Sequence, residues 1–323
     1  MNVAVTGGNG VVGRPIIQTL VDQGHRVTAL ARSGDSARIL SGLGARTIEG
    51  DILDPQSLRP LLTGADWVFH LAGVNEMCSR EPEAMERVNV EGTRNVTRAA
   101  REAGVGRLIH TSSAAAIGEA QGTVGTETSP HRGRYLSRYE RSKHLAEQAL
   151  AETAENLDYV VVNPSSVQGP GRSSGTGKLF LDLLNGRLPF LIETRVSIVD
   201  IDDCARGHLL AAERGESQRR YILSGASLSL REAVNVLQQI TGRTVRPRFL
   251  PGWVATAGGA FAEVGARSVG RRPKVCREMV RVLRAGHVYD GSRATRELGL
   301  GYTPLEGTIR RTVDWFGREG LLA

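Results

Sequence analysis

The stretch that most constrains this chain is Val3-Ala4-Val5-Thr6-Gly7-Gly8-Asn9-Gly10-Val11-Val12-Gly13. A short β-branched run stops at three glycines spaced Gly-x-x-Gly-x-x-Gly. An apolar segment with helical period follows through Ile16, Ile17, Leu20 and Val21. The pattern predicts strand, tight turn and helix, which aims the free N–H groups of a helix N-terminus at a phosphate. Gly7 can take the positive φ of the turn and Gly10 lets backbone N–H groups approach a pyrophosphate. Gly13 lets the helix lie close on the strand. Gly7, Asn9, Gly10, Val11, Val12 and Gly13 are therefore the expected phosphate end of a dinucleotide site.

The rest of the first half repeats the strand–helix alternation. Arg26 to Ala31 is the expected second strand, ending at Arg32 and Ser33. An acid at that end would bind the adenosine ribose 2′-OH, whereas an arginine accommodates a 2′-phosphate. Ala31 and Arg32 stand there, with Arg38 as a second contact, so NADP(H) is favoured over NAD(H). A third strand, Arg46 to Glu49, leads into Gly50, Asp51 and Ile52. A fourth, Trp67 to His70, runs into Leu71, Ala72 and Gly73, where the cofactor's ribose and nicotinamide would pass. His70 reads as a strand histidine satisfied by backbone. A helix over about 84–103 carries Asn89, and a fifth strand, Arg107 to Thr111, ends at Ser112 and Ser113. The next helix is expected to start near Tyr135 and to hold Tyr139 and Lys143. A sixth strand ends at Asn163, before Pro164, Ser165 and Ser166. Alternation to about residue 165 argues an α/β fold: a Rossmann-type doubly wound parallel sheet. Residues 166–323 then read as a smaller, mostly helical C-terminal substrate-binding part, with a segment near 196–214 returning to the first domain. The Gly/Ser-rich stretch 168–177 suits a binding loop or a disordered linker equally well.

At 323 residues, 40% hydrophobic and 23% charged, the composition is that of an ordinary globular enzyme. No apolar run approaches the ~20 residues that cross a bilayer, and no leader pattern opens the chain, so a cytoplasmic protein is expected. Cys78, Cys204 and Cys276 have no metal-ligand spacing and read as reduced, buried small hydrophobes, and no metal site is expected. The formal charge of +7 concentrates in arginines after residue 215. Without a binding motif or interleaved aromatics this is no nucleic-acid signature. A solvated arginine surface is the favoured reading, then a field for an anionic ligand. The apolar, glycine-rich stretch 250–266 reads as pocket or core, with weak membrane-surface contact left open.

Tyr139 and Lys143 fall one helical turn apart on one face. A phenol titrates near ~10, and an ammonium close by favours the phenolate, which would let Tyr139 exchange a proton with an alkoxide near neutral pH. Ser113, at a strand end, could stabilise the charge developing on the same substrate oxygen.

With these motifs in this order, the chain resembles the extended short-chain dehydrogenase/reductases, the NAD-dependent epimerase/dehydratase family, over nearly its whole length. The markers are Thr6 to Gly13, Gly50 to Asp54, His70 to Gly73, Asn89 with Gly92 and Thr93, Thr111 to Ser113, Tyr139 with Lys143, Asn163 to Ser165, and Val199 to Asp203. The resemblance implies that Asp51, beside Ile52, contacts adenine and that Lys143 also holds the nicotinamide ribose. Ser113, Tyr139 and Lys143 would be catalytic, supported by Asn89. The cofactor would also meet Leu71, Ala72, Gly73, Thr111, Pro164, Ser165 and Ser166. Asn163 to Gly171 is most similar to the dihydroflavonol-reductase-like branch, which includes hopanoid-associated epimerase-like proteins.

The expected function is NADPH-dependent interconversion of a ketone or aldehyde and an alcohol on a mid-sized, mostly apolar small molecule. The alternatives are a nucleotide-sugar epimerase or dehydratase with tightly held NAD(P), and an NADP-binding redox sensor without catalysis. Monomer and homodimer both remain open.

Overall fold

The alternating apolar runs become seven parallel strands in the computed structural model, which describes residues 1–79, 81–271, 273 and 275–323. They are β1 (Asn2–Thr6), β2 (Arg26–Ala31), β3 (Arg46–Glu49), β4 (Trp67–His70), β5 (Arg107–Thr111), β6 (Tyr159–Pro164) and β7 (Arg220–Leu223), in the order β7-β6-β5-β4-β1-β2-β3. All six residues of β6 are buried, because helices cover both faces of a parallel sheet. On one face lie α1 (Gly13–Asp22), α2 (Gly34–Gly42) and α7 (Ile201–Arg214), which bury Ile16, Leu40 and Leu209. On the other lie α3 (Pro55–Leu62), α4 (Pro82–Glu102) and α5 (Arg138–Ala154), burying Leu58, Val96 and Leu150. The strand order reverses between β1 and β4, so the crevice for a ligand opens at the carboxyl ends of these strands.

α5 starts later than the expected Tyr135. Ser137 accepts a hydrogen bond from the Glu140 N–H at 3.0 Å, and this N-cap sets the start.

After β6 the chain builds a second layer. Ser166–Gln168, Arg195–Asp200 and Ala226–Ser229 form a three-stranded sheet. Beside it, α6 (Thr176–Leu184), α8 (Leu230–Thr241) and α11 (Leu305–Arg318) bury Phe180, Leu237 and Phe316 in a third core. Ser229 and Glu232 form a reciprocal capping box at the start of α8. Asp200 caps α7, accepts from Thr308 at 2.8 Å and pairs with Arg311, fastening α11 to the main body. The chain returns to the first layer twice, as α7 packs on α1 and β7 extends the sheet beside β6.

Two expectations are corrected. The stretch 250–266 forms α9 (Gly252–Ser268), which lies on α10 (Arg277–Ala285), but Gly259 is its one buried residue and Trp253 and Phe261 stand in solvent. Cys78 and Cys276 are not free thiols. They form a disulfide with their Cα atoms 5.8 Å apart, although 198 residues separate them in sequence. The fold brings the loop after β4 against the segment before α10, a proximity that no local spacing announces. Cys204 is free and buried, as expected.

Candidate active site

The glycine turn is a cradle that side chains would fill. Gly7 has φ +72°, and a Cβ there would strike the Ala72 backbone. A Cβ at Gly13 would come within 2.6 Å of the Gly7 carbonyl. The Gly10 N–H donates to the Gly7 carbonyl at 3.1 Å, closing the turn, and no side chain caps the first turn of α1. The N-terminal N–H groups of α1, near Val11 and Val12, thus face the crevice without a protein partner of that kind, as a pyrophosphate needs. Asn9 donates to Ser36 at 2.9 Å and Ser33 caps α2, so both tie the turn to the next helix. Arg32 is exposed at the end of β2, whereas Arg38 pairs with Asp35. Asp51 holds its own turn by accepting from the Leu53 N–H at 2.9 Å, and Ile52 is buried against Gly92. These groups fit the adenosine and phosphate half of a dinucleotide.

Nearer the centre, Leu71, Ala72 and Gly73 leave the end of β4. The Asn89 side chain accepts from the Val74 N–H at 2.7 Å and donates to the Val74 carbonyl and to Ser142. Both of its amide protons are used, so Asn89 clamps this loop to α5 and is a positioning residue. His70 is satisfied by hydroxyls rather than backbone. Thr93 gives its single proton to the Asn89 carbonyl at 2.6 Å, so His70 Nε2 must donate to Thr93 and Nδ1 must accept from Thr6. Burial lowers its pKa to about 3 and keeps it neutral.

Lys143 is buried and donates to the Thr111 carbonyl at 2.9 Å. Its Nζ would lie 3.1 Å from a Cβ at Gly73, so the loop has room for it because residue 73 is glycine. Burial lowers the Lys143 pKa to about 8, against the opposing pull of Glu147. Tyr139 behaves differently from the expectation. Burial raises its pKa, and the groups that favour the phenolate are Ser113 and Arg172 rather than Lys143, whose ammonium is turned to Thr111. Ser112 is buried, while Ser113 is half-exposed toward Tyr139. Pro164, Ser165 and Ser166 follow at the end of β6, where the Ser166 hydroxyl shares a 2.7 Å bond with Thr176 of α6.

Three contributors have no role assigned from sequence, although Asn163 is among the family markers. Asn163 donates to the Ser113 carbonyl at 3.0 Å and to Glu147 at 2.7 Å, and Glu147 pairs with Arg220 of β7. That chain fixes the Ser113 backbone from the edge of the sheet. The third is Arg172, in the loop before α6. Its Nε is buried without a hydrogen-bond partner, and its charge acts on Tyr139.

Comparison with known proteins agrees with this construction. The profile of the NAD dependent epimerase/dehydratase family matches residues 3–224. A 2-alkyl-3-oxoalkanoate reductase of Stenotrophomonas maltophilia is 30% identical, over 96% of this chain and 98% of its own. The sterol demethylase protein B of Methylococcus capsulatus is 29% identical over the full length of both. Among solved structures, that of gox2253 superposes with a TM-score of 0.87 at 34% identity, covering 100% of this chain and 99% of its own. A parallel sheet wound around a glycine cradle, matched over these lengths, means that the chain belongs to the NAD-dependent epimerase/dehydratase family of extended short-chain dehydrogenases/reductases and is an NAD(P)-dependent enzyme.

Proposed function

We propose that the enzyme uses NADPH to reduce a ketone or aldehyde on a mid-sized, mostly apolar substrate, with Tyr139 as acid/base and the alcohol oxidation as its reverse. The observation that carries this reading is that Tyr139 and Lys143 lie one turn apart on α5, where Lys143 donates to the Thr111 carbonyl, two residues before Ser113. When bound, the nicotinamide supplies or accepts the hydride. The Ser113 hydroxyl donates to the carbonyl oxygen and holds it at the site of charge development. Tyr139 gives its proton to that oxygen. Burial keeps the phenol protonated at neutral pH, which is the form a reduction needs. Arg172 favours the phenolate left behind and suits a substrate with a carboxylate or other anion near its carbonyl. A relative named for reducing 2-alkyl-3-oxoalkanoates supports the same class of substrate.

The test follows loss of NADPH or NADH absorbance with aryl ketones, aldehydes, steroid ketones, 3-oxo acids and CoA thioesters. Net oxidation of NADPH that Tyr139→Phe lowers by roughly 10²–10⁴-fold is expected. No net oxidation, with tightly held NAD and interconversion of nucleotide sugars, would replace the reductase by the epimerase reading. Unchanged function of Tyr139→Phe in every assay would favour the sensor.

A further inference from the structure

Among the described residues, the outer face of α9 has no partner, yet it carries large apolar side chains in solvent. Trp253, Phe261 and Val264 are 73%, 80% and 58% exposed, and Val269 just beyond the helix is 66% exposed. Trp253, Ala257, Phe261 and Val264 recur at helical spacing and so share one stripe. The opposite side is already occupied: a Cβ at Gly259 would come within 2.7 Å of Val280 of α10.

We infer that α9 seats this protein on the surface of an anionic lipid bilayer. The charges around the stripe supply the argument. Glu263 is the one carboxylate in residues 242–277. It is turned inward, bound by Arg267 at 2.8 Å and by the Arg277 N–H at 3.0 Å. Arg243, Arg246, Arg248, Arg271 and Arg277 are exposed in the same segment. Glu83 and Glu278 stand across the cleft beside α9, and the segment's own exposed charges are arginines. An apolar stripe with an aromatic anchor and these arginines is complementary to acyl chains beneath anionic headgroups. A second copy seated symmetrically on this face would instead bring arginines against arginines. No helix among the described residues is long and apolar enough to cross a membrane, so the contact lies in the interface plane. The segment is also joined to the crevice. The disulfide fastens Cys276 to the loop after β4, and a cleft of about 510 Å³ opens there between Glu76, Ser79, Arg138 and the α9 residues Glu263 and Arg267. This inference stands apart from the choice between reductase and epimerase.

The test is flotation of the full chain with phosphatidylcholine vesicles, with and without about 30 mol% phosphatidylglycerol, at about 0.1 M salt. Flotation with the anionic vesicles, weakened by added salt and accompanied by a blue shift in tryptophan emission, is expected. Trp253→Ser with Phe261→Ser should lower the partition constant at least ~10-fold. Arg248→Glu with Arg271→Glu should do likewise. All four sites are exposed, so melting temperatures should hold, and thermal melts check this. Absence of flotation with anionic vesicles, or flotation indifferent to the Trp253 and Phe261 changes, overturns the inference. So does a dimer in sedimentation velocity that these changes dissolve while vesicles bind nothing.

Discussion

Burial brings the Lys143 pKa down to about 8, so the ammonium that holds the Thr111 carbonyl, two residues before Ser113, is lost at mildly alkaline pH. Reduction should therefore decline above about pH 8, approaching a tenfold fall per unit. Lys143→Arg should keep part of the activity without this alkaline limb, because a guanidinium stays charged. The stability consequence has the opposite sense. The folded pKa lies below the ordinary 10.5, so between about 8 and 10.5 the unfolded chain binds more protons and stability rises with pH. Below pH 8 the full cost of the buried ammonium is present. Lys143→Met should consequently stabilise the inactive protein by about 1–2 kcal/mol at pH 7, after allowing for the lost bond to Thr111. Melts of both proteins at pH 7 and 10 should show the gap closing. Arg32 offers a second test at this scale. It is exposed at the end of β2, free to meet a 2′-phosphate. Arg32→Ala should raise the Kd for NADPH by at least ~10-fold and leave that for NADH unchanged, as read by nucleotide fluorescence.

Among the elements, the first strand–turn–helix unit gives the sharpest case. A methyl at residue 13 would press on the Gly7 carbonyl and the Gly8 Cα, both backbone atoms, so Gly13→Ala must move α1 off β1. A loss of about 1–3 kcal/mol in stability and loss of measurable NADPH binding are expected, checked by thermal melts and fluorescence titration. This unit was legible in the sequence because its information is local: β-branched run, glycines and helical period are contiguous. The order of the six strands to residue 165 was legible for the same reason. α5 starts later than expected although Ser137 and Glu140 stand at cap spacing, because Tyr135 and Leu136 just before them continue the apolar pattern of the helix. α9 lines a cleft through Glu263 but is not core, and its inward face was not legible because alanine and glycine carry too little hydrophobic contrast. At the site, Ser113, Tyr139 and Lys143 are candidates from a strand end, one helical turn and the family resemblance. Asn163 is a family marker and Arg172 lies in the Gly/Ser-rich stretch, but these two and Glu147 act through neighbours that tertiary packing supplies, so spacing assigned them no role.

For the whole molecule, the Cys78–Cys276 bond is the covalent tie between the sheet's ligand-facing edge and the helices after residue 250. Its loop spans 198 residues, and chain-entropy arguments assign long loops the larger stabilisation. The two cysteines are buried at the floor of the cleft beside α9, so the reduced thiols would remain close, and what is lost is the constraint on the unfolded chain. Reduction should lower the melting temperature by roughly 3–6 °C, from a contribution of about 2–4 kcal/mol spread over a chain of this size. Cys78→Ser combined with Cys276→Ser should melt at the reduced temperature with or without dithiothreitol. The loop that carries Cys78 begins at Gly73, against Lys143 and Asn89, so freeing it should act on the site as well. A rise in KM with little change in kcat is expected in the double variant, since the loop lines the crevice but holds none of the proton-transferring groups. If reductant moves neither the melting temperature nor KM, the two layers are held by packing alone: Asp200, Thr308 and Arg311 would then suffice to keep α11 and its core against the sheet.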